Sequence, residues 1–277
     1  MNEQKQTVRA RKSVVYKLIN KPFVIVSLLC LVMASILSGC NTVGSSTAKF
    51  SGQSEQAIFD GGVHDLKRRN YSGAVSHFNA LDTLYPFSKY GQQAQLNLIY
   101  AYYKLGKTPL ALAACQRYIR LYPNSEDVDY AYYMRGIIDM YKNRNLLERF
   151  LPSDPSLRDL SGLKSSYMDF DLLLKSYPNS PYKADAVQRM VFIRNMLARH
   201  QLLVAEYYYN NRAYVAAANR ANYVVQHFQE SPAVPEALVM MIRAYRRLDL
   251  TDQAQQTMRI LSYNFPNSNY LQQAKKL

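Results

Sequence analysis

The sequence predicts an all-α protein, a superhelical solenoid of five stacked helix pairs, on three observations. One short turn recurs along the chain, the apolar residues between turns fall at helical spacing, and small residues return at a fixed distance before each turn. The turn reads Tyr85-Pro86-Phe87-Ser88, Tyr122-Pro123-Asn124-Ser125, Tyr177-Pro178-Asn179-Ser180 and Phe265-Pro266-Asn267-Ser268, with a degenerate copy at Phe228-Gln229-Glu230-Ser231. Measured at the second position, the copies lie 37, 55, 51 and 37 residues apart. Proline is expected to stop one helix and serine to N-cap the next.

The first forty residues are read as an address. Lys5, Arg9, Arg11, Lys12, Lys17 and Lys21 make a basic opening, and residues 23–37 carry no charge. Fifteen residues fall short of the roughly 20 that a membrane span needs, but they suit the apolar core of a signal peptide. Leu37-Ser38-Gly39-Cys40 then resembles the lipobox of bacterial lipoproteins. That resemblance implies cleavage after residue 39 and acylation of Cys40. Asn41 is not the aspartate of inner-membrane retention, so the implied address is the periplasmic face of the outer membrane. Residues 40–53 are small and polar, and are expected to be a flexible lipidated tether.

The helix pairs follow. Twelve residues before each turn's second position stand Ala74, Ala111, Ser166, Ala217 and Ala254; eight before it stand Phe78, Cys115, Phe170, Ala221 and Met258. On the leading helices, Gly62, Tyr102, Tyr208 and Tyr245 are expected to complete the pattern. Repeat two shows its stripe as Ala94, Leu98, Ala101, Tyr102 and Leu105; repeat four as Ala186, Met190, Ile193, Leu197, Val204 and Tyr208, interrupted by Gln201. Both have a period of 3.6, not 2. Leu151-Pro152-Ser153-Asp154-Pro155 places a loop inside repeat three, and repeat four is expected to open with a long helix over 181–209. The arrangement resembles the tetratricopeptide repeat, five copies over residues 54–277. A lone pair cannot bury its apolar stripe, so the copies stack into a grooved superhelix.

Composition narrows the function. Residues 40–277 hold 28 basic and 19 acidic residues, dispersed except at Lys67-Arg68-Arg69. In an exported chain such charge points to a membrane surface or acidic protein partners rather than nucleic acid. Cys115 is the only cysteine left beside Cys30 and Cys40, so no internal disulfide is expected. It occupies an apolar slot and reads as a buried, inert thiol. His64, His77, His200 and His227 are scattered, and Asp169 and Asp171 diverge on a helix. No catalytic residue, metal ligand or cofactor site is expected. The 24 tyrosines, many adjacent to one another as in Tyr102-Tyr103, Tyr132-Tyr133 and Tyr207-Tyr208-Tyr209, pack between helices or line a peptide groove.

Longer stretches carry a sharper resemblance. Gln95-Leu96-Asn97-Leu98-Ile99-Tyr100-Ala101-Tyr102-Tyr103-Lys104, Tyr133-Met134-Arg135-Gly136, Val204-Ala205-Glu206-Tyr207-Tyr208 and Asn219-Arg220 are similar to the BamD family, lipoproteins of the outer-membrane β-barrel assembly machinery. The resemblance implies a non-enzymatic scaffold. Its N-terminal repeats, 54–180, would receive unfolded outer-membrane protein precursors at Tyr85 and hold the lipoprotein BamC. Its C-terminal repeats, 181–277, would bind the last POTRA domain of BamA through Asn219 and Arg220, with BamE as a further partner. Ser72 and Ser88 depart from the family, where Arg and Gly can stand. The alternative is another periplasmic repeat lipoprotein, a scaffold for pilus or cell-wall assembly.

Overall fold

The computed structural model describes residues 47–142 and 159–277. The signal segment, Cys40 and the proline loop at 151–155 lie outside them. The helices are α1 (Glu55–Lys67), α2 (Tyr71–Leu84), α3 (Gly91–Lys104), α4 (Thr108–Leu121), α5 (Val128–Tyr141), α6 (Ser161–Ser176), α7 (Lys183–Asn210), α8 (Tyr214–His227), α9 (Val234–Arg247), α10 (Thr251–Asn264) and α11 (Asn269–Lys275). Each packs on the next, in five pairs, and α11 closes against α9 and α10. No strand occurs among the described residues. The fold is a tetratricopeptide-like solenoid.

Small residues let the paired helices approach. Ala74, Ala111, Ser166 and Ala217 are fully buried and Ala254 nearly so. In repeats one and three the leading helix carries a glycine. A Cβ on Gly62 would lie 2.6 Å from Phe78 Cε1, and one on Gly136 would lie 2.6 Å from Phe170 Cε1. Each phenylalanine ring therefore fills the space that a side chain would occupy. Repeats two, four and five place Ile99, Ala205 and Ile242 there, opposite Cys115, Ala221 and Met258. Tyr102, Tyr208 and Tyr245 stand three residues later, one helical turn beyond Gly62's equivalents.

Two turn types alternate. Between pairs, Tyr85, Tyr122, Tyr177, Phe228 and Phe265 end their helices as C-caps, and proline follows in four of the five. The serine hydroxyls accept from the backbone N–H two residues on, at 3.1 Å (Ser88), 3.1 Å (Ser125), 3.2 Å (Ser180), 3.3 Å (Ser231) and 3.0 Å (Ser268). Only Ser268 is itself an N-cap. The other four open a tight turn, their carbonyls accepting from Gly91, Val128, Lys183 and Val234, and the helix starts at that third residue. Serine initiates the approach to the helix rather than capping it. Within pairs, Arg69, Gly106, Arg212 and Asp249 take positive φ of 61°, 68°, 62° and 56°. The N–H that follows each donates five residues back, to Asp65, Tyr102, Tyr208 and Tyr245, which satisfies the helix end.

The long helix is present, but its stripe is not straight. In α7 the buried residues are Ala186 and Ile193, then Ala198, Leu202 and Ala205; Leu197, Gln201 and Val204 are half-buried. The first half faces α6, whereas the second faces α8 and α9, so the buried face rotates between two sets of neighbours. At the N-terminal end, Phe50 lies within the segment read as tether, yet it is 1% exposed and meets the His77 ring edge-on at 4.7 Å. The last residues of that segment are part of the first repeat's core.

Candidate functional site

The C-terminal candidates lie on α8. Its buried face is Ala217, Ala218, Ala221 and Val224. Asn219 and Arg220 therefore project from the opposite side, and both are exposed. They line a shallow groove with Tyr208, Ala216 and Tyr223. Arg220 Nη1 donates to Gln201 Oε1 at 3.4 Å, and no ion pair holds it among the described residues. Tyr223 is braced by His227, with ring centroids 4.1 Å apart, and by Phe228 at 5.9 Å. A guanidinium between two tyrosines offers a partner charge, hydrogen bonds and flat apolar area together. Sequence reading missed Tyr208 and Tyr223 as part of this site. Tyr223, one turn after Arg220 on the same exposed face, was the available signal.

Tyr85 stands elsewhere, at the end of α2. Its hydroxyl donates to the Gln53 carbonyl at 2.6 Å, and its ring packs on the first repeat's core. It thus clamps the N-terminal segment. Its neighbour Phe87 is fully exposed, where the other turns carry Asn124, Asn179, Glu230 and Asn267.

A second groove, lined by Gln93, Leu96, Asn97, Tyr100, Asp127, Tyr130 and Tyr182, crosses repeats two and three to the start of α7. Tyr182 stacks on Tyr133 at 4.6 Å and lies tilted against Tyr130 at 5.7 Å. Burial pushes the Tyr130 hydroxyl far up. Tyr133 is pushed up to about 12 by burial and by donating to Asp185 at 2.7 Å. Both phenols stay protonated, and Tyr133 acts as a donor. Beyond Tyr133, Asp185 is also held by Arg189, which donates to Tyr141 as well.

Asp169 pairs with Arg135 at 2.6 Å, and Asp171 with Lys175 at 2.7 Å, so the two carboxylates diverge. Burial raises the Asp169 carboxyl above the ordinary range, and nearby Asp139 adds to that against the pull of Arg135. Cys115 is fully buried, and desolvation drives its thiol far up, which leaves it protonated and unreactive. Among the described residues no group of His, Cys, Asp or Glu is arranged to hold a metal ion. Nor is any described helix long and apolar enough to cross a membrane.

Residues 51–261 match the family described as YfiO, outer membrane lipoprotein. The chain belongs to the YfiO (BamD) family. The outer membrane protein assembly factor BamD of Neisseria meningitidis serogroup B is 36% identical over 249 residues, 89% of this chain and 93% of that one. Its counterpart in Vibrio cholerae is 35% identical over 234 residues, 84% of this chain and 96% of that one. Both are named as assembly factors of the outer membrane. The BamD-like stretches of this chain fall on α3, α5, α7 and α8, the helices that line the two grooves.

Proposed function

We propose that this protein is a lipid-anchored scaffold of the outer-membrane β-barrel assembly machinery, without enzymatic activity of its own. In this reading Cys40 carries the acyl chains and the fold faces the periplasm. The N-terminal repeats take an extended segment of an unfolded outer-membrane precursor across Phe87, Tyr85 and the tyrosine groove. The C-terminal repeats bind the last POTRA domain of BamA at Asn219 and Arg220, and BamC and BamE join the same assembly.

The observation that carries this is the geometry of α7. Tyr182, just before its start, belongs to one groove, and Tyr208, near its end, belongs to the other. The 26 residues between them span about 39 Å of continuous helix. A single rigid element thus holds two aromatic surfaces at a fixed distance. A precursor held at one is presented to a partner held at the other, which raises its effective concentration there. Arg220→Ala tests the assignment, because the side chain is exposed and makes one long hydrogen bond. The variant is expected to fold and fractionate with the outer membrane while losing most co-purification with BamA. Unchanged co-purification at raised salt would remove Arg220 from the interface.

A further inference from the structure

We propose that the edge of the rod formed by the α1–α2 and α3–α4 turns docks on anionic phospholipid headgroups. The inference rests on the lipid-anchored reading and adds a second, electrostatic membrane contact to it. Lys67, Arg68 and Arg69 crowd the first turn, Lys104 and Lys107 flank the second, and all five are exposed. The two turns form one patch. Lys104 Nζ lies 5.9 Å from the ring centre of Tyr71, the first residue of α2, and 5.7 Å from that of Tyr100. Those two rings meet edge-on at 6.1 Å. Lys104 thus stands beside two tyrosines, side chains whose apolar ring and polar tip suit the boundary of a bilayer, and the other four cations lie on the same two turns.

No acid neutralises the patch. Asp65, the nearest in sequence, accepts from Asn70 Nδ2 at 3.0 Å and lies 3.6 Å from His77 Nε2. The first turns of α2 and α4 hold no acidic residue. Among the described residues none of the five cations is ion-paired. A helix C-terminus favours bases in its last turn, which accounts for Lys67 and Lys104. It does not account for Arg68, Arg69 and Lys107, which lie beyond the helix ends. On the opposite edge Glu126, Asp127 and Glu230 stand among Lys89, Arg120, Lys175 and Lys183, so the charges there are mixed.

A bilayer is favoured over an acidic protein by reach. Thr47, the first described residue, stands seven positions after Cys40, and a chain of that length extends at most about 25 Å. On the lipoprotein reading, the first two repeats are therefore the part of the fold held nearest the acyl chains. Attraction of clustered Lys and Arg to anionic headgroups acts within about 8 Å at physiological salt, a distance that such a tether allows.

The acylated full chain, incorporated in vesicles, tests this through Leu110→Cys and Asn124→Cys, each labelled with a fluorescent donor against a headgroup acceptor. Leu110 lies beside the patch and Asn124 on the opposite edge, and buried Cys115 does not compete for label. In phosphatidylcholine vesicles containing phosphatidylglycerol, energy transfer from position 110 is expected to be at least twofold that from position 124. In pure phosphatidylcholine, or with Lys104→Glu and Lys107→Glu, the two should become equal. Equal transfer whatever the lipid charge would overturn the proposal. So would a charge reversal that leaves the distances unchanged but releases a co-purifying acidic protein. Failure of the chain to incorporate, with no acyl mass on Cys40, would instead overturn the lipoprotein reading.

Discussion

In repeats one and three a glycine on the leading helix admits a phenylalanine from the trailing one; in repeat five the same two positions are Ile242 and Met258. The difference extends outward from these contacts. The cores around Phe78, Tyr118 and Phe170 are separate clusters bridged by half-buried tyrosines such as Tyr102, Tyr103 and Tyr133. From Ala198 to Ala274 sixteen buried residues, none of them aromatic, form one cluster that takes in seven of the fourteen residues of α9, and a small second cluster of Ala217, Ala218 and Ala244 sits beside it under Tyr208 and Tyr214. Aromatic joints with polar tips fix orientation, and the groove of Tyr100, Tyr130 and Tyr182 runs across one of them. The larger C-terminal cluster instead gives the groove on α8 a broad support. The half read as receiving varied clients is the jointed one, and the half read as holding a fixed partner is the solid one.

The largest effect expected from breaking this contrast is at Leu238, 1% exposed in the centre of α9. Leu238→Ala should cost about 2–5 kcal/mol, and urea unfolding should show the whole C-terminal half lost in one transition. Gly136→Ala comes next. Its new methyl meets the fully buried Phe170 ring, and overpacking of this kind costs about 1–3 kcal/mol. Hydrogen exchange should show the loss confined to α5 and α6, with protection of α9 unchanged. Spread of the loss through the C-terminal half would dissolve the distinction. Tyr133→Phe removes the bond to Asp185 but leaves Arg189 on that carboxylate, and should cost about 1 kcal/mol.

The smallest effect is a pH dependence confined to the first repeat. Burial lowers His77 below its ordinary value of 6.5, against the opposing pull of Asp65. The unfolded chain therefore takes up a proton at a pH where the folded one does not. Stability is full above about 6.5 and is lost as pH falls from there towards the depressed folded value. Melting curves of the intact protein at pH 7.5 and 5.5 should show this loss, and His77→Gln should flatten it. Equal pH dependence in the variant would assign the effect to another group.

The repeat was legible because its signals are local. A proline after an aromatic C-cap, a serine turn and an alanine at a fixed distance all act within one helix pair. The buried alanines at 74, 111 and 217 followed from spacing alone. Contacts between distant segments left no such mark. Phe50 looks like one apolar residue in a polar leader until His77 and Phe78 are brought beside it. The rotation of the buried face in α7 depends on which helix lies alongside each half, which no periodicity within α7 encodes. Of the two grooves, the one at Asn219 and Arg220 is pointed to by a resemblance to the family, not by any pattern within the helix. Tyr130 and Tyr182, 52 residues apart and divided by an insertion, meet only in the folded chain.

In the proposed function two separate surfaces, one at the first repeats and one on α8, serve two different clients. A photoreactive amino acid introduced in turn at Phe87 and at Arg220, in living cells, addresses it most directly. Crosslinks to newly exported precursors are expected from position 87, and to the BamA POTRA region from position 220. The same partner captured at both positions, or precursors captured at 220 and BamA at 87, would contradict it.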